Sequence, residues 1–346
     1  MSSRYFVPGD TTAAAVGADA VADALAQALR QRGDGEQLVR NGSRGAFWLE
    51  PLLEIEQDGE RAGFGPVAAA DVPALLALAR DAWPQHPRYL GPVDALPWFT
   101  AQTRLTFGRA GLDDPLCLDS YLSRHGFEAL DHALHLPPGD IVDEVTRSGL
   151  RGRGGAAFPA GIKWRTVLET PAAQKYVVCN ADEGDSGTFA DRLLMEADPY
   201  QLLEGMAIAG LAVGATQGYI YLRSEYPRTW DVMHRAIAKA EAAGYLGERL
   251  CDTEREFRNE LRLGAGAYIC REETALLESL EGRRGMVRSK PPLPAIHGLF
   301  GQPTVVNNVL TLAAVTTVLA DGAEAYATLG EDRSRGTLCL PLAGNV

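Results

Sequence analysis

The chain has 346 residues, of which 46% are hydrophobic, and its formal net charge is −12 at pH 7. This length allows two or three domains with sizeable cores, and the acidic balance argues against nucleic acid as the main partner, because a phosphate backbone requires a basic face. The opening MSSRYFVPGD shows no secretory signal, and no apolar run approaches the roughly 20 residues that a membrane helix requires.

A small α/β unit is predicted for the first part of the chain. Short β-rich runs alternate there with an amphipathic stretch, and Asp58-Gly59 is typical of a tight turn between two strands. Asp71 and Pro73 indicate the start of a further helix, as its cap and its first-turn proline. In chain order we expect a strand at 4–7, a helix at 16–32, strands at 37–40, 47–57 and 61–65, and a helix at 71–82.

A proline-rich connector at 84–97 separates this unit from a larger α/β region. The short apolar run Tyr176–Cys179 is typical of a buried parallel strand. Strands that alternate with helices predict a parallel sheet covered on both faces. In chain order we expect helices at 121–132 and 140–149, a strand at 176–179, a helix at 198–213, a strand at 218–222, helices at 230–243, 273–280 and 307–319, and a strand at 336–342.

The most informative segment is Arg151–Lys163, which reads RGRGGAAFPAGIK. Closely spaced glycines allow backbone N–H groups to approach an anion or a flat ring, because no Cβ stands in the way. With its basic side chains, the segment indicates a loop that holds a phosphorylated, ring-bearing cofactor, and a plain turn is the alternative. The residues that carry this interpretation are Gly152, Arg153, Gly154, Gly155, Phe158 and Lys163.

A second segment, NADEGDSGTFADR at 180–192, directly follows the predicted strand 176–179. Ligands of open α/β sheets bind beyond the carboxyl ends of the strands, so Asn180, Asp182, Glu183 and Asp185 are expected where a cofactor would lie. Their amide and carboxylate groups can bond hydroxyl or ring N–H groups. A solvated turn with helix caps is the alternative, although three acids at one strand end repel one another without a partner.

A third segment, GAGAYICREETAL at 264–276, combines two glycines with Tyr268 and suits a loop laid against a flat ring. Glu272 and Glu273 open the next predicted helix, where the helix dipole stabilises carboxylates, and this is their alternative interpretation.

Two shorter features complete the set of candidate site residues. Lys290 precedes two prolines and is either a phosphate contact of a nucleotide or an ordinary loop residue. Asn307 and Asn308 lie before a predicted helix, and one of them is expected to cap it.

The five cysteines are scattered along the chain, and none lies within four positions of another. A zinc or iron–sulfur site usually shows paired cysteines a few residues apart, so no metal site is predicted. The odd number of cysteines and the absence of a secretory signal favour reduced thiols in the cytoplasm. Each cysteine is expected to be buried as a small hydrophobic residue. They are Cys117, Cys179, Cys251, Cys270 and Cys339.

From about residue 140 onward, GRGGAAFPAGIKW, NADEGDSGTFADR, GAGAYICREETALLESLEG and PTVVNNVLTL resemble the FMN-bearing, NADH-oxidising subunit of respiratory complex I and its soluble relatives. Those relatives include diaphorase subunits of NAD-reducing hydrogenases and of cytoplasmic NAD-dependent formate dehydrogenases. The variant EGDSGTFADR and the N-terminal α/β unit most resemble the formate dehydrogenase β subunit. The resemblance implies an α/β chain with a thioredoxin-like domain at 1–105, a Rossmann-like FMN- and NADH-binding domain at 106–335, and the start of a truncated ubiquitin-like domain at 336–346.

The same resemblance implies hydride exchange between NAD(H) and FMN, and single-electron exchange between FMN and iron–sulfur clusters. Glu183 and Glu273 are the implied catalytic residues, and with Asp185 they line a nucleotide pocket whose acid groups disfavour the 2′-phosphate of NADP. Phe158 and Lys290 are the implied contacts of the nicotinamide nucleotide. The implied FMN contacts are Gly152, Arg153, Gly154, Gly155, Lys163, Asn180, Asp182, Tyr268, Glu272, Asn307 and Asn308.

The implied partners are iron–sulfur subunits of one complex, namely a small thioredoxin-like [2Fe–2S] subunit and a large catalytic subunit. Some relatives hold a [2Fe–2S] cluster in the N-terminal domain, but this chain has no cysteine before Cys117 and has Asn41-Gly-Ser-Arg44 in the strand–loop region, which excludes that cluster. The family's [4Fe–4S] cluster is expected on a later helical region, whose cysteines are absent here. The sequence is therefore expected to be a truncated version or to lack those parts.

One residue departs from the family pattern Cys-Gly-Glu-Glu, because Arg271 stands in place of the glycine. Arg271 either crowds the loop, pairs with Glu272 or reaches a nucleotide phosphate. A non-catalytic assembly subunit with a degraded site is therefore an alternative function. A simple Rossmann dehydrogenase fits less well, since G-x-G-x-x-G does not follow a first strand. The terminal substrate, whether formate, hydrogen or quinone, would be handled by other subunits.

Overall fold

The computed structural model describes residues 3–33 and 37–342, which fall into two compact units, Met1–Cys117 and Leu118–Val346. The first unit extends past residue 105, where the sequence places the end of the first domain. A hydrogen bond accounts for part of this extension, because Arg61 Nη2 donates to the carbonyl oxygen of Leu112 at 2.6 Å. Residues just after the predicted boundary are thus held to the first sheet.

Within the described residues, a mixed sheet and four helices form the first unit. Its elements are strands β1 (Arg4–Phe6), β2 (Gln37–Val39), β3 (Leu53–Gln57), β4 (Glu60–Phe64) and β5 (Tyr89–Pro92), and helices α1 (Thr11–Ala15), α2 (Ala18–Arg32), α3 (Val72–Ala77) and α4 (Pro97–Thr100). The strand order is β2-β1-β3-β4-β5, with β1 parallel to β2 and the other neighbours antiparallel. This order favours the thioredoxin-like interpretation, which stays a prediction.

Three predicted elements of this unit have other limits in the structure. The helix expected at 16–32 is preceded by α1, and Gly17, in the left-handed conformation, separates the two helices. The strand expected at 47–57 starts only at Leu53, because Phe47–Leu49 form a 3₁₀ turn. The helix expected at 71–82 ends at Ala77, and a separate 3₁₀ turn follows.

The segment from the end of β2 to β3 carries several buried charged side chains. Arg44 donates from Nε and Nη2 to the two carboxylate oxygens of Glu54, at 2.7 and 2.9 Å, and Glu54 is fully buried. Glu50 accepts hydrogen bonds from Ser43 Oγ at 2.7 Å and from the Leu52 N–H at 2.8 Å. Burial raises the pKa of Glu50 to about 8, so its carboxyl group is protonated in the folded state at neutral pH.

We expect Glu50→Gln to reduce the loss of stability at alkaline pH. The unfolded chain releases the Glu50 proton near the ordinary pKa of 4.5, whereas the folded chain keeps it up to about pH 8, so the wild type loses stability as the pH rises between these values. Glutamine cannot ionise and can still accept the Leu52 N–H. Between about pH 5 and about pH 8.5, the variant should gain about 4 kcal/mol of stability relative to the wild type. Thermal unfolding at both pH values measures this, and parallel pH profiles would contradict it.

The second unit contains a four-stranded sheet, a two-stranded hairpin and ten helices among the residues described. Its strands are β6 (Tyr176–Ala181), β7 (Gln217–Leu222), β8 (Arg258–Leu263), β9 (Thr304–Asn308), β10 (Gly330–Glu331) and β11 (Ser334–Arg335). Its helices are α5 (Leu118–Leu122), α6 (Glu128–Leu134), α7 (Pro138–Arg147), α8 (Ala160–Glu169), α9 (Ala190–Ala197), α10 (Pro199–Val213), α11 (Pro227–Ala242), α12 (Glu273–Leu280), α13 (Val309–Asp321) and α14 (Ala323–Ala327).

The four-stranded sheet has the order β8-β7-β6-β9, and every neighbouring pair is parallel. The predicted α/β class with a parallel sheet is therefore confirmed. Helices α10 and α13 are buried along nearly their whole length and pack closely, since a Cβ at Gly205 would lie only 2.0 Å from the carbonyl oxygen of Leu312.

Two predictions in this unit are wrong. The helix expected at 121–132 is broken into α5 and α6, because His125 and Phe127 have positive φ and Gly126 packs directly on the Tyr121 ring. The strand expected at 336–342 is absent from the described residues 337–342, and the short hairpin β10–β11 precedes them. Residues 343–346 of the predicted ubiquitin-like segment lie outside the described residues.

The cysteines differ in exposure. Cys179 and Cys270 are buried, as predicted, whereas Cys117 is exposed and the prediction of a buried thiol is wrong there. Cys251 and Cys339 are partly exposed. Across 3–33 and 37–342, no helix combines the length and apolar character that crossing a membrane would require.

Candidate functional site

The candidate site lies at the edge of the four-stranded sheet where its strands end. Parallel strands place their carboxyl ends at the same edge, which is where ligands of open α/β sheets bind. Asn180 lies next to the last residue of β6 and Asn308 ends β9, while the segment that starts at Gly264 follows β8. The segments singled out in the sequence therefore meet here.

The glycine-rich loop, residues 151–159, forms a closed turn at this edge. Its base is held by the Gly152 N–H, which donates to the Phe158 carbonyl oxygen at 2.8 Å. Gly155 has a φ of 106°, a conformation that other residues adopt only with strain. A Cβ at Gly154 would lie 3.1 Å from Asn308 Cβ, so the loop rests directly on the end of β9.

The side chain of Arg153 extends from this loop to residues near the end of the chain. Its Nη2 donates to Tyr326 Oη at 2.9 Å and to the Arg335 carbonyl oxygen at 2.5 Å. The Arg153 N–H donates to Thr311 Oγ1 at 2.8 Å, and Thr311 is fully buried. The guanidinium is thus already engaged by the protein, whereas the sequence suggested a contact with the cofactor.

Two lysines and two glutamates form a cluster beside the loop, which we call the lysine–glutamate cluster. Lys163 Nζ donates to the Val306 carbonyl oxygen at 2.8 Å and to Glu273 Oε2 at 3.2 Å. Lys290 Nζ lies 2.9 Å from Glu272 Oε1 and 2.9 Å from Glu273 Oε1. Burial acts to raise the pKa of Glu273, but the two ammonium groups outweigh it and hold the pKa below its ordinary value. Glu273 is therefore ionised at neutral pH.

Glu272 has a second role, because it caps helix α12. Its Oε2 accepts hydrogen bonds from the N–H groups of Thr274 at 2.8 Å and Ala275 at 2.9 Å. Although burial opposes ionisation, these bonds and the Lys290 ammonium lower the pKa of Glu272. Glu272 thus lies at the start of α12, where the sequence placed it, and a contact with FMN stays a prediction.

Asn180 and Asp182 lie where β6 ends. Asn180 Nδ2 donates to the Arg271 carbonyl oxygen at 2.8 Å, and its Oδ1 accepts the Asp182 N–H at 3.2 Å. Burial raises the pKa of Asp182 to about 6, and Glu225 adds to the rise while Arg223 opposes it. A carboxyl group with this pKa exists in both protonation states near neutral pH, so it can accept or donate a hydrogen bond.

Glu183 is only 8% exposed, and its carboxylate is held by donors of the protein. It accepts hydrogen bonds from the N–H groups of Asp191 at 3.0 Å and Arg192 at 3.2 Å, and from Tyr226 Oη at 3.2 Å. Burial raises the pKa of Glu183 despite these bonds. The carboxylate thus stabilises the start of α9, and a catalytic role for it stays a prediction.

Asp191 is a buried member of the site that the sequence interpretation did not select. Its Oδ2 accepts a hydrogen bond from Asn308 Nδ2 at 2.6 Å, and burial together with the nearby Glu183 raises its pKa well above the ordinary value. Asn308 also caps α13, since its Oδ1 accepts the Leu310 N–H at 2.9 Å. Asn307 Oδ1 accepts a hydrogen bond from the Trp164 indole at 2.8 Å.

Asp185 is exposed and binds the unusual arginine of this chain. Both terminal nitrogens of Arg271 contact the Asp185 carboxylate, with Nη2 2.6 Å from Oδ2, and Tyr268 Oη donates to Oδ1 at 2.9 Å. These contacts lower the pKa of Asp185. Of the predicted outcomes for Arg271, pairing with Glu272 is wrong, because the partner is Asp185. Arg271 lies in the 3₁₀ turn Tyr268–Arg271 and does not have positive φ.

Large apolar side chains are exposed around these polar groups. Phe158 is 48% exposed, Ile162 51% and Tyr268 60%. Exposed apolar side chains beside charged and polar groups are typical of a binding site. Together with a glycine cradle and two lysines, these residues fit a ligand that combines a flat ring, a polar chain and a phosphate.

Sequence reasoning also missed Arg223, although it follows the end of β7 just as Asp182 follows β6. Its Nη1 donates to the Glu183 carbonyl oxygen at 2.5 Å, and its guanidinium pairs with Glu225 at 3.1 Å. A charged residue directly after a parallel strand was the available signal. Thr311, which accepts the Arg153 N–H, gave no sequence signal, because a threonine inside an apolar helix is ordinary.

Comparison with known proteins identifies the family. The sequence model of the Nuo51 FMN-binding domain matches residues 145–317, which is half of the chain. The chain belongs to the Nuo51 FMN-binding domain family. The matched range contains the glycine-rich loop and the ends of β6 and β9, and the predicted resemblance to the complex I flavin subunit is confirmed at the level of the family.

Two curated relatives of this Nuo51 family member are similar over most of its length. The HndC subunit of the NADP-reducing hydrogenase of Solidesulfovibrio fructosivorans is 46% identical over 245 residues, 71% of this chain and 50% of the relative. A subunit of the NADH-quinone oxidoreductase of Aquifex aeolicus is 44% identical over 254 residues, 73% of this chain and 59% of the relative. The chain thus spans about half the length of the curated relatives it matches.

A solved structure is similar to both units of the chain. The NAD⁺-reducing [NiFe]-hydrogenase in its air-oxidised state has a TM-score of 0.56 at 32% identity. The match covers 96% of this chain and 55% of the hydrogenase chain. It supports the α/β architecture described above.

Proposed function

We propose that the chain is an FMN-dependent diaphorase module, which exchanges a hydride with NAD(H) and single electrons with iron–sulfur clusters of partner subunits. The observation that carries the proposal is that the glycine-rich loop, Lys163 and the ends of β6 and β9 meet at one sheet edge in a member of an FMN-binding family. When bound there, FMN would supply the hydride exchange and the one-electron exchange, while the protein supplies geometry and charge.

We assign the flavin contacts to residues from several elements of this edge. The glycine-rich loop offers backbone N–H groups without interfering side chains, and Lys163 adds a positive charge for the phosphate. Asn180 and Asp182 offer polar atoms for the ring or the ribityl hydroxyls, and the pKa of about 6 allows Asp182 to donate as well as accept. Tyr268 contributes an exposed ring against which the flavin can stack, and Phe158 contributes one for the nicotinamide nucleotide.

For the nucleotide, we propose NAD(H), held near Glu273 and Lys290. The sequence predicts that acid groups repel the 2′-phosphate of NADP. In the structure their negative charge is partly neutralised, because Asp185 pairs with Arg271 and Glu273 pairs with two lysines. One similar relative is named for NADP and another for NADH. Discrimination against NADP is therefore proposed to be modest.

The larger assembly is proposed to be a redox complex with iron–sulfur subunits. The relatives that support this are a hydrogenase subunit and a quinone oxidoreductase subunit. A formate dehydrogenase remains our proposal for the specific complex, and it depends on the segment EGDSGTFADR and on the N-terminal α/β unit. The alternative of a non-catalytic assembly subunit is disfavoured by the presence of Lys163, Glu183, Glu273 and Asn307, which a degraded site would not need to keep.

Glu273→Gln tests the nucleotide half of the proposal. Removing the charge takes away the carboxylate that Lys163 and Lys290 share, while Lys163 keeps its bond to the Val306 carbonyl and Lys290 keeps its pair with Glu272. We expect wild-type FMN content and about tenfold slower flavin reduction by limiting NADH, as for the loss of one charged contact. Anaerobic stopped-flow absorbance measures the rate.

The control for this experiment is Glu278→Gln, on the same helix but paired with Arg283 and Arg288. It should leave both FMN content and reduction rate unchanged. If Glu273→Gln is reduced as fast as the wild type, Glu273 does not belong to the nucleotide site.

A further inference from the structure

We propose that Arg153 is a positioning residue, which fixes the glycine-rich loop by tying it to the segment 326–336 and does not bind FMN through its charge. The inference rests on the proposed function, in that the loop is taken as the flavin cradle. Its basis is the direction of the guanidinium, which bonds Tyr326 Oη and the Arg335 carbonyl oxygen. A basic residue in a phosphate-binding loop would be expected to keep its donors for the phosphate.

The acceptors of Arg153 are themselves held in place. Tyr326 is 3% exposed, and a Cβ at Gly336 would lie 2.2 Å from its hydroxyl oxygen, so the segment folds closely over the ring. Arg335 anchors the hairpin through its own side chain, which donates to the carbonyl oxygens of Ala327 at 3.2 Å and Gly330 at 3.3 Å. Arg153 therefore bonds a fixed surface.

The guanidinium is suited to this tie, because its Nη2 carries two N–H groups and bonds acceptors on two different parts of the chain. Arg153 lies directly between Gly152 and Gly154, and glycines by themselves allow many backbone conformations. Gly154 is in turn placed against Asn308. The tie thus sets the path of the cradle, and residues far from the flavin are expected to influence flavin affinity.

The experiment compares Arg153→Lys and Tyr326→Phe in the full chain, titrated as apoprotein with FMN and with riboflavin, which lacks the phosphate. We expect Arg153→Lys to raise the Kd of FMN about tenfold and Tyr326→Phe about threefold, in line with losing a charge-assisted hydrogen bond. Each variant should raise the Kd of riboflavin by the same factor as it raises the Kd of FMN. Arg147, which pairs with Glu144, and Tyr245, which stacks on Phe127, do not take part in this tie, so Arg147→Lys and Tyr245→Phe are the matched controls.

A direct contact with the phosphate gives a different pattern and would overturn the inference. In that case Arg153→Lys would weaken FMN but not riboflavin, or Tyr326→Phe would have wild-type affinity for both. Amide hydrogen exchange of the loop in the apoprotein provides a readout without flavin, and faster exchange at 151–159 is expected in both variants. A wild-type chain that binds neither flavin would overturn the proposed function, and the exchange data would then still decide whether the tie holds the loop.

Discussion

Replacing Lys163 with alanine is expected to remove most of the FMN from the purified chain. Lys163 connects α8 to the end of β9 through the Val306 carbonyl and to α12 through Glu273. A hydrogen bond to a charged group contributes about 1.5–3 kcal/mol, which corresponds to about tenfold to hundredfold in the Kd of FMN. The ratio of flavin to protein absorbance after gel filtration measures the loss.

Arg165→Ala is the control for this variant, because Arg165 lies on the same helix and pairs with Asp143. It removes a cation of α8 without touching the lysine–glutamate cluster, so it should retain flavin like the wild type. Circular dichroism of both variants must show the wild-type fold. Full flavin occupancy in Lys163→Ala would contradict the assignment of Lys163 to the flavin site.

The largest loss of stability is expected for Gly205→Ala. The added methyl group would lie 2.0 Å from the Leu312 carbonyl oxygen, which is backbone and cannot rotate away. Helices α10 and α13 must then separate, at a cost of about 3 kcal/mol or more. For a unit of this size, the melting temperature should fall by about 10 °C.

Gly139→Ala makes the same chemical change where space is available. A Cβ at Gly139, on helix α7, meets only the end of the Arg165 side chain, at 4.0 Å. Alanine favours a helix over glycine, so this variant should be neutral or slightly more stable. Differential scanning calorimetry of both variants decides the matter, and equal melting temperatures would mean that the helices adjust without cost.

The elements that the sequence predicts well are those with a continuous or strongly periodic apolar pattern. Helix α12 has the predicted limits, and β6, α10 and α11 differ from theirs by a few residues. Strand β8 was missed because its sequence RNELRL carries charges at an edge of the sheet. The break between α5 and α6 was missed because non-glycine residues at positive φ leave no local signal.

For the site, the sequence identifies the loops but not the directions of the side chains. Glycine spacing and the end of the predicted strand at 176–179 identify segments of this edge, because ligands bind where parallel strands end. Strands β8 and β9, which bring the other segments to the same edge, were not predicted. The partners of Arg153, Glu183 and Arg271 depend on packing between distant parts of the chain. Tyr326, for example, is far from Arg153 in sequence yet accepts its hydrogen bond.

The most direct test of the diaphorase proposal is the visible absorption spectrum of the purified chain, before and after anaerobic addition of NADH. The proposal predicts a yellow protein with stoichiometric FMN, whose flavin band bleaches when NADH is added. A colourless chain that also fails to take up added FMN would contradict it, and the assembly-subunit alternative would then be favoured.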